Sequence, residues 1–258
     1  MKISVITPSL RPELIGIVAK CLKRQTLKDF EWLIGTPADC MDDMREALLP
    51  YDQKHKFVAD PPKREGDYYS LNKCWNELIR VCEGELVVNI VDGLWFEPSL
   101  LERLWHHYEA NPGACISCVG DQFSQLELGK PEGRVWRDPR RRMDFGSFYE
   151  VGEMEMEMCI ASAPRQAFID VGGFEEEFDR GAAVSEKELM ARIYKAGYKL
   201  YIDQTLEYRA IIHPRLSNEW DKRYHVACDM WGTYHPLIES GKRLRLDYVK
   251  EKVHNSAY

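Results

Sequence analysis

The apolar residues of this chain recur with two alternating periods. Lys2 to Thr7 is a short β-type run. Leu14, Val18, Cys21 and Leu22 then share one helical face. Pro12 suits the first turn of that helix, where a missing N–H costs nothing, and Lys20, Lys23 and Arg24 suit its negative end. Phe30 to Ile34 reads as a second strand, Asp42 to Leu49 as a helix and Lys56 to Ala59 as a third strand. After the loop DPPKREGD, Leu71, Cys74, Trp75, Leu78 and Cys82 form the stripe of an amphipathic helix, with Asn72 and Asn76 on its flank and Gly84 closing it. The run Leu86 to Val91 stops at one acid, Asp92, and Gly93, the patch Leu94-Trp95-Phe96 and Pro98 follow. A helix from Pro98 or Ser99 to about Ala110 completes this half. Strands alternating with helices predict an α/β fold with a largely parallel sheet. Ligands of such sheets gather at the carboxyl ends of the strands, where Thr7 and Asp92 lie.

The second half is less regular. Ala114 to Val119 reads as a strand, GRVWRDPRRR (Gly133 to Arg142) as a basic loop, and Pro164 to Val171 as a short helix closed by Gly172-Gly173. Glu153 to Met158 alternates Glu and Met, the pattern of a strand with Met inward and Glu wet. Ser185 to Ala196 is a third strong helix and Lys199 to Ile202 a strand. Beyond His213-Pro214 the chain reads as helices packed on the main domain. The expected division is 1–214, with halves 1–110 and 111–214, followed by a C-terminal helical extension, 215–258.

Composition narrows the function. The 258 residues are 45% hydrophobic and 30% charged, with net charge −7 and pI about 5.6, which disfavours a dominant non-specific nucleic-acid binder. No apolar run reaches the ~18 residues of a membrane span, and MKISVITPS reads as a first strand, not a signal peptide. Among eight cysteines only Cys115 and Cys118 form C-x-x-C, and in a strand they face opposite ways. Buried thiols in a cytoplasmic, reduced protein are the expectation.

Five segments in order, ISVITPSLRPEL, QTLKDFEWLIG, SLNKCWNELIRVCEGELVVNIVD, VGGFEEEF and SEKELMARIYKAGYKLYID, resemble the landmarks of the family 2 glycosyltransferases. The resemblance runs from about residue 2 to 214. It implies the GT-A fold: a mostly parallel sheet flanked by helices that binds a nucleotide-diphosphate sugar. UDP is the default nucleotide, and transfer to an acceptor hydroxyl would be inverting and dependent on Mn²⁺ or Mg²⁺. The sequence departs from the family's D-x-D-type cluster, whose outer positions are Val91 and Gly93, so that only Asp92 is acidic. It looks like a branch with a single Asp, which implies metal contacts from Asp92 and a late histidine, His213. The acid pair usual after the second strand is replaced by Thr36-Pro37, with Asp39 displaced by two.

Each site residue has a bland reading beside the functional one. Thr7, Pro8 and Arg11 align where the family binds the nucleotide, yet Arg11 also suits an exposed loop. Asn72 and Asn76 offer amides to ribose or phosphate, or merely solvate a helix. Asp92 is a carboxylate for diphosphate and metal, or a turn acid, with Gly93 leaving room for a ligand. The family's base aligns on Glu186, which helical spacing turns inward with Leu189, Met190 and Ile193, whereas Glu188 has an exposed ion-pair partner in Arg192. The arginine loop (Arg134, Arg137, Arg140, Arg141, Arg142) reads as solvated and mobile, or as a lid on an anion. Two rival functions remain: a catalytically silent domain that binds sugar nucleotide or glycan, and a transferase acting on hydroxylated nucleic-acid bases.

Overall fold

The computed structural model describes residues 1–127, 130–211 and 219–250. In chain order the elements are β1 (Ile3–Pro8), α1 (Pro12–Lys23), β2 (Phe30–Thr36), α2 (Met41–Leu48), β3 (Lys56–Ala59), α3 (Leu71–Val81), β4 (Leu86–Ile90), β5 (Leu94–Phe96) and α4 (Leu100–Ala110). There follow β6 (Ala114–Glu127), β7 (Lys130–Trp136), β8 (Phe148–Glu150), β9 (Ile160–Pro164), α5 (Arg165–Val171), α6 (Ser185–Lys195), β10 (Lys199–Ile211) and α7 (Trp220–Glu239).

The strands form one sheet in the order β3-β2-β1-β4-β9-β6-β10-β5, with β7 on β6 and β8 on β10. β1 to β4 are mutually parallel, β1 lying between β2 and β4 and β2 pairing β3. The sheet as a whole is mixed, which corrects the expected mostly parallel one. The cause is β9, which runs antiparallel between β4 and β6. Its sequence, IASAP, is too short and too small in side chains to announce a central strand. The β6–β7 hairpin and the antiparallel contacts of β5 and β8 with β10 add to the mixture.

Helices cover both faces. Ile15, Val18 and Leu22 of α1, Met44 and Leu48 of α2, and Leu100, Leu101 and Leu104 of α4 build one core. Cys74, Trp75 and Leu78 of α3, Phe168 and Val171 of α5, and Leu189, Met190 and Ile193 of α6 build the other. Cys115 belongs to one core and Cys118 to the other, as alternation along a strand requires. The C-terminal part is α7 followed by an extended strap. Backbone N–H groups of Leu246, Tyr248 and Val249 bond to the carbonyls of Val171 and Gly172, and Val249 is buried in the core. Gly172, at φ 75°, caps α5 in the left-handed region, and a Cβ there would meet the Leu246 carbonyl oxygen at 1.7 Å. No helix among the described residues is long and apolar enough to cross a membrane.

Three local expectations change. Residues Glu153–Glu155 form a 3-10 turn, closed by Glu155 N–H to Gly152 and Met156 N–H to Glu153, not a strand. Met154 consequently faces solvent while Met156 and Met158 are buried. The basic segment is ordered by carboxylates: Arg140 is buried and donates to Asp138, to Ser117 Oγ at 2.7 Å and to the Cys118 carbonyl at 2.9 Å. Arg141 pairs with Asp121 and Glu207, and Arg142 with Glu155. These pairs oppose both the mobile-loop and the anion-lid readings for Arg140, Arg141 and Arg142. Finally, Glu188 and Arg192 are not exposed: their side chains are at 0% exposure, because α5, the Gly173 turn and the second core enclose that face of α6.

Candidate functional site

A cleft of about 800 Å³ opens at the carboxyl ends of β1, β2, β3 and β4. Its walls come from Pro8 to Arg11 after β1, Pro37 to Cys40 after β2, and Asp60 to Lys63 after β3. Tyr69, Ser70 and Leu71 enter from the start of α3, Asp92 follows β4, and Trp220 reaches in from the start of α7. Parallel strands bring these loops together although they are far apart in sequence.

Asp92 lies at the innermost corner, its side chain 1% exposed. Ser9 donates to Asp92 Oδ2 at 2.6 Å, and Arg11 Nε donates to the same oxygen at 3.2 Å. Arg11 Nη2 pairs with Oδ1 at 2.7 Å, so the guanidinium lies along both carboxylate oxygens. Arg11 Nη1 is enclosed and has no hydrogen-bond partner. The turn after Asp92 needs Gly93, at φ 70°. The expected room for a ligand there is absent: a Cβ would sit 3.2 Å from Leu14 and Ile211 side-chain atoms. Leu94 and Phe96 pack in the same core as α4, which fixes the corner from behind.

Four expected nucleotide-binding residues thus meet at the cleft: Pro8, Arg11, Asp39 and Asp92. Thr7 is buried and accepts a hydrogen bond from Trp32 Nε1 at 3.0 Å. Asn72 is buried; its amide and backbone N–H both donate to Asp179. Asn76 is fully buried, bridging to Phe174 and to Glu176. These three side chains brace the scaffold instead of lining the cleft. Asp179 caps α3, because Lys73 N–H also donates to it, and burial pushes its carboxyl up to about 6.

Ser9, Asp60, Lys63, Tyr69 and Trp220 are cleft residues that sequence reasoning missed. Asp60 had a signal, being the acid at the carboxyl end of β3. Burial pushes its carboxyl up to about 6, and Oδ1 is enclosed without a hydrogen-bond partner. Trp220 had none, since only the packing of α7 brings it here.

Glu186 sits in the first turn of α6, half-buried. Burial raises its pKa above the usual carboxylate range, Lys187 and its own N–H lower it, and the charge of Glu157 raises it further. It lies within electrostatic range of Cys159, whose carbonyl accepts Val91 N–H at 3.0 Å beside Asp92. Asn89 of β4 fixes this neighbourhood, accepting from Trp75 Nε1 at 2.8 Å and donating to the Met158 carbonyl. Immediately before α6, Ala183 and Val184 have φ of 60° and 69°. Positive φ is unusual for any side-chain-bearing residue and strained for a β-branched one, and such strain gathers at functional sites. Glu188, by contrast, is tied to Arg192 at 2.8 and 2.7 Å, and Arg192 also donates to the carbonyls of Val171 and Gly173.

A divalent ion needs oxygen ligands at about 2.0–2.6 Å. The described donor set at the corner is one carboxylate, with both oxygens already facing Arg11 and Ser9. No cluster of three or more His, Cys, Asp or Glu suited to a metal occurs among the described residues. Among the described residues, a divalent ion at this corner would share Asp92 with Arg11 and Ser9. His213, the second expected ligand, lies outside the described residues.

No protein-family model matches this chain, and no curated protein sequence matches it. Solved structures do resemble it. Staphylococcus aureus TarS 1-349 in complex with UDP superposes with a TM-score of 0.59 at 15% identity, covering 83% of this chain and 61% of that one. A second S. aureus TarS structure gives 0.62 at 13%, covering 91% and 39%. TarS 1-349 in complex with UDP-GlcNAc gives 0.57 at 14%, covering 83% and 60%. The chain spans about two- to three-fifths of the TarS chains it matches. At this identity the likeness concerns the fold, an α/β architecture with a mixed sheet flanked by helices, broadly GT-A-like.

Proposed function

We propose that this chain binds a nucleoside-diphosphate sugar in the cleft and transfers the sugar to an acceptor hydroxyl. The observation that carries this is the convergence of four strand-end loops on one cleft whose inner corner holds the Ser9–Arg11–Asp92 group. About 800 Å³ suits a nucleotide. The solved complexes of TarS with UDP and UDP-GlcNAc, on a similar fold, make UDP the donor nucleotide to test first. Asp60 and Asp39 would accept N–H or O–H groups of base and ribose at the outer end, and the diphosphate would point toward Arg11.

Glu186 is the proposed base. Its raised proton affinity suits a group that takes a proton from a hydroxyl near neutral pH. The acceptor oxygen forms a bond to the anomeric carbon as the bond from that carbon to the diphosphate oxygen breaks. The electron pair leaves with UDP, and the hydroxyl proton ends on Glu186. Attack from the face opposite the leaving group inverts the anomeric centre.

UDP release from UDP-GlcNAc, followed with wild type and Glu186→Gln, tests the proposal. A fall of ~10²–10⁴ in the variant with unchanged UDP affinity is the expected result. Absence of any UDP-sugar binding overturns it. Binding without release by the wild type would favour a silent domain, a reading supported by the engagement of Asp92 with Arg11 and Ser9.

A further inference from the structure

We infer that Arg11 is the built-in cation of the cleft, taking the diphosphate of the nucleotide without a divalent ion, while Asp92 is a positioning residue that aims Arg11. This deepens the nucleotide-sugar reading above and rests on it.

The geometry gives three grounds. The first is that Asp92 is already used. Its two oxygens face Arg11 Nε, Arg11 Nη2 and the Ser9 hydroxyl, at 3.2, 2.7 and 2.6 Å. The same Ser9 oxygen accepts Arg11 N–H at 3.2 Å, so backbone and side chain of Arg11 are fixed together. The second is access: Arg11 lines the cleft with its side chain 25% exposed, so an anionic oxygen there can take a charge-assisted bond from the guanidinium. The third is placement. Arg11 is the residue before the twelve-residue α1, so its guanidinium stands at the positive end of a helix dipole. Lys63 also lines the cleft and supplies a second positive charge. Together these provide the positive potential that the Asp92 charge partly offsets.

UDP and uridine are titrated calorimetrically into the full chain, once in EDTA and once in Mn²⁺. The expected UDP affinity is equal in the two buffers within about twofold, whereas Arg11→Lys weakens UDP by ~10–100-fold and leaves uridine within about twofold. Lysine keeps a charge beside Asp92 but cannot hold the carboxylate and reach a phosphate at once. UDP binding that needs Mn²⁺, or tightens in it beyond tenfold, overturns the inference and leaves the nucleotide-sugar reading standing. No UDP binding in either buffer overturns that reading and the inference with it. Equal losses for UDP and uridine in Arg11→Lys also overturn it, since Arg11 would then act on the nucleoside. Should Arg11→Lys fail to fold, the wild-type comparison alone decides the metal question.

Discussion

Two glutamates flanking Lys187, Glu186 and Glu188, offer themselves as a base, and they should respond oppositely to the same chemical change. Glu188→Gln removes the charge facing Arg192, whose side chain is at 0% exposure. Arg192 then keeps its bonds to the Val171 and Gly173 carbonyls, at 2.8 Å each, but loses the carboxylate that compensates its charge. Breaking a buried pair from one side costs about 3–5 kcal/mol. For a chain of this size that is a fall in Tm of roughly 6–20 °C, at about 2–4 °C per kcal/mol. Glu186→Gln replaces a half-buried group whose burial already disfavours its charge, so stability should shift by no more than about 0.5 kcal/mol. Activity should fall ~10²–10⁴-fold. The assay pairs thermal melts with UDP release at a temperature where both variants are folded. A Glu188→Gln protein that melts with wild type yet is inactive, beside an active Glu186→Gln protein, would refute the assignment and the burial argument together.

Three further outcomes follow from the same geometry. Asp60, with its carboxyl near 6 against about 3.9 unfolded, makes the folded state bind the extra proton, so its contribution to stability falls as pH rises from about 4 to about 6. Nucleotide binding needs the ionised form instead: UDP affinity should drop as pH is lowered through about 6, and Asp60→Asn should flatten that profile in a calorimetric pH series. Asp179→Ala removes the buried acceptor of the Asn72 and Lys73 N–H groups and should cost about 2–3 kcal/mol in a urea melt, an unchanged midpoint contradicting its role as the cap of α3. Ala183→Gly relieves a left-handed backbone of ~1–2 kcal/mol against a glycine penalty of ~0.5–1. The expected result is a small rise in Tm, and a fall would mean that the Ala183 backbone is unstrained.

Much of the first half was legible because its signals are local. The apolar stripes of α1 and α3, Pro12 at a helix start and the run ending at Asp92 each follow from periods of a few residues. Those elements fall within two residues of their expected bounds. The αL cap at Gly172 was legible for the same reason. Long-range pairing was not. β6 and β10 run together as far as Phe123 and Ile211, and β7 carries β6 on to Glu127, because partner strands supply the hydrogen bonds, and no local pattern records that. The insertion of β9 between β4 and β6 likewise depends on which edge is vacant, not on IASAP itself.

The candidate site divides along the same line. The sequence by itself placed Pro8, Arg11, Asp39 and Asp92 at strand ends, and strand ends of a parallel sheet converge. It located Glu186 at the start of a helix but took the Glu188 face of that helix for exposed, whereas Glu188 is at 0% exposure. Only the tertiary structure decided where each polar group spends its hydrogen bonds. It gave Asn72 to Asp179, Asn76 to Phe174 and Glu176, and Thr7 to Trp32, partners 25 to 107 positions away in sequence. It buried the Glu188–Arg192 pair, ordered Arg140 to Arg142 on carboxylates and laid Arg11 across Asp92. Periodicity fixes the face on which a side chain emerges. The charge or dipole that meets it there is set by chain segments remote in sequence, and that meeting makes an acid a ligand, a cap or a brace.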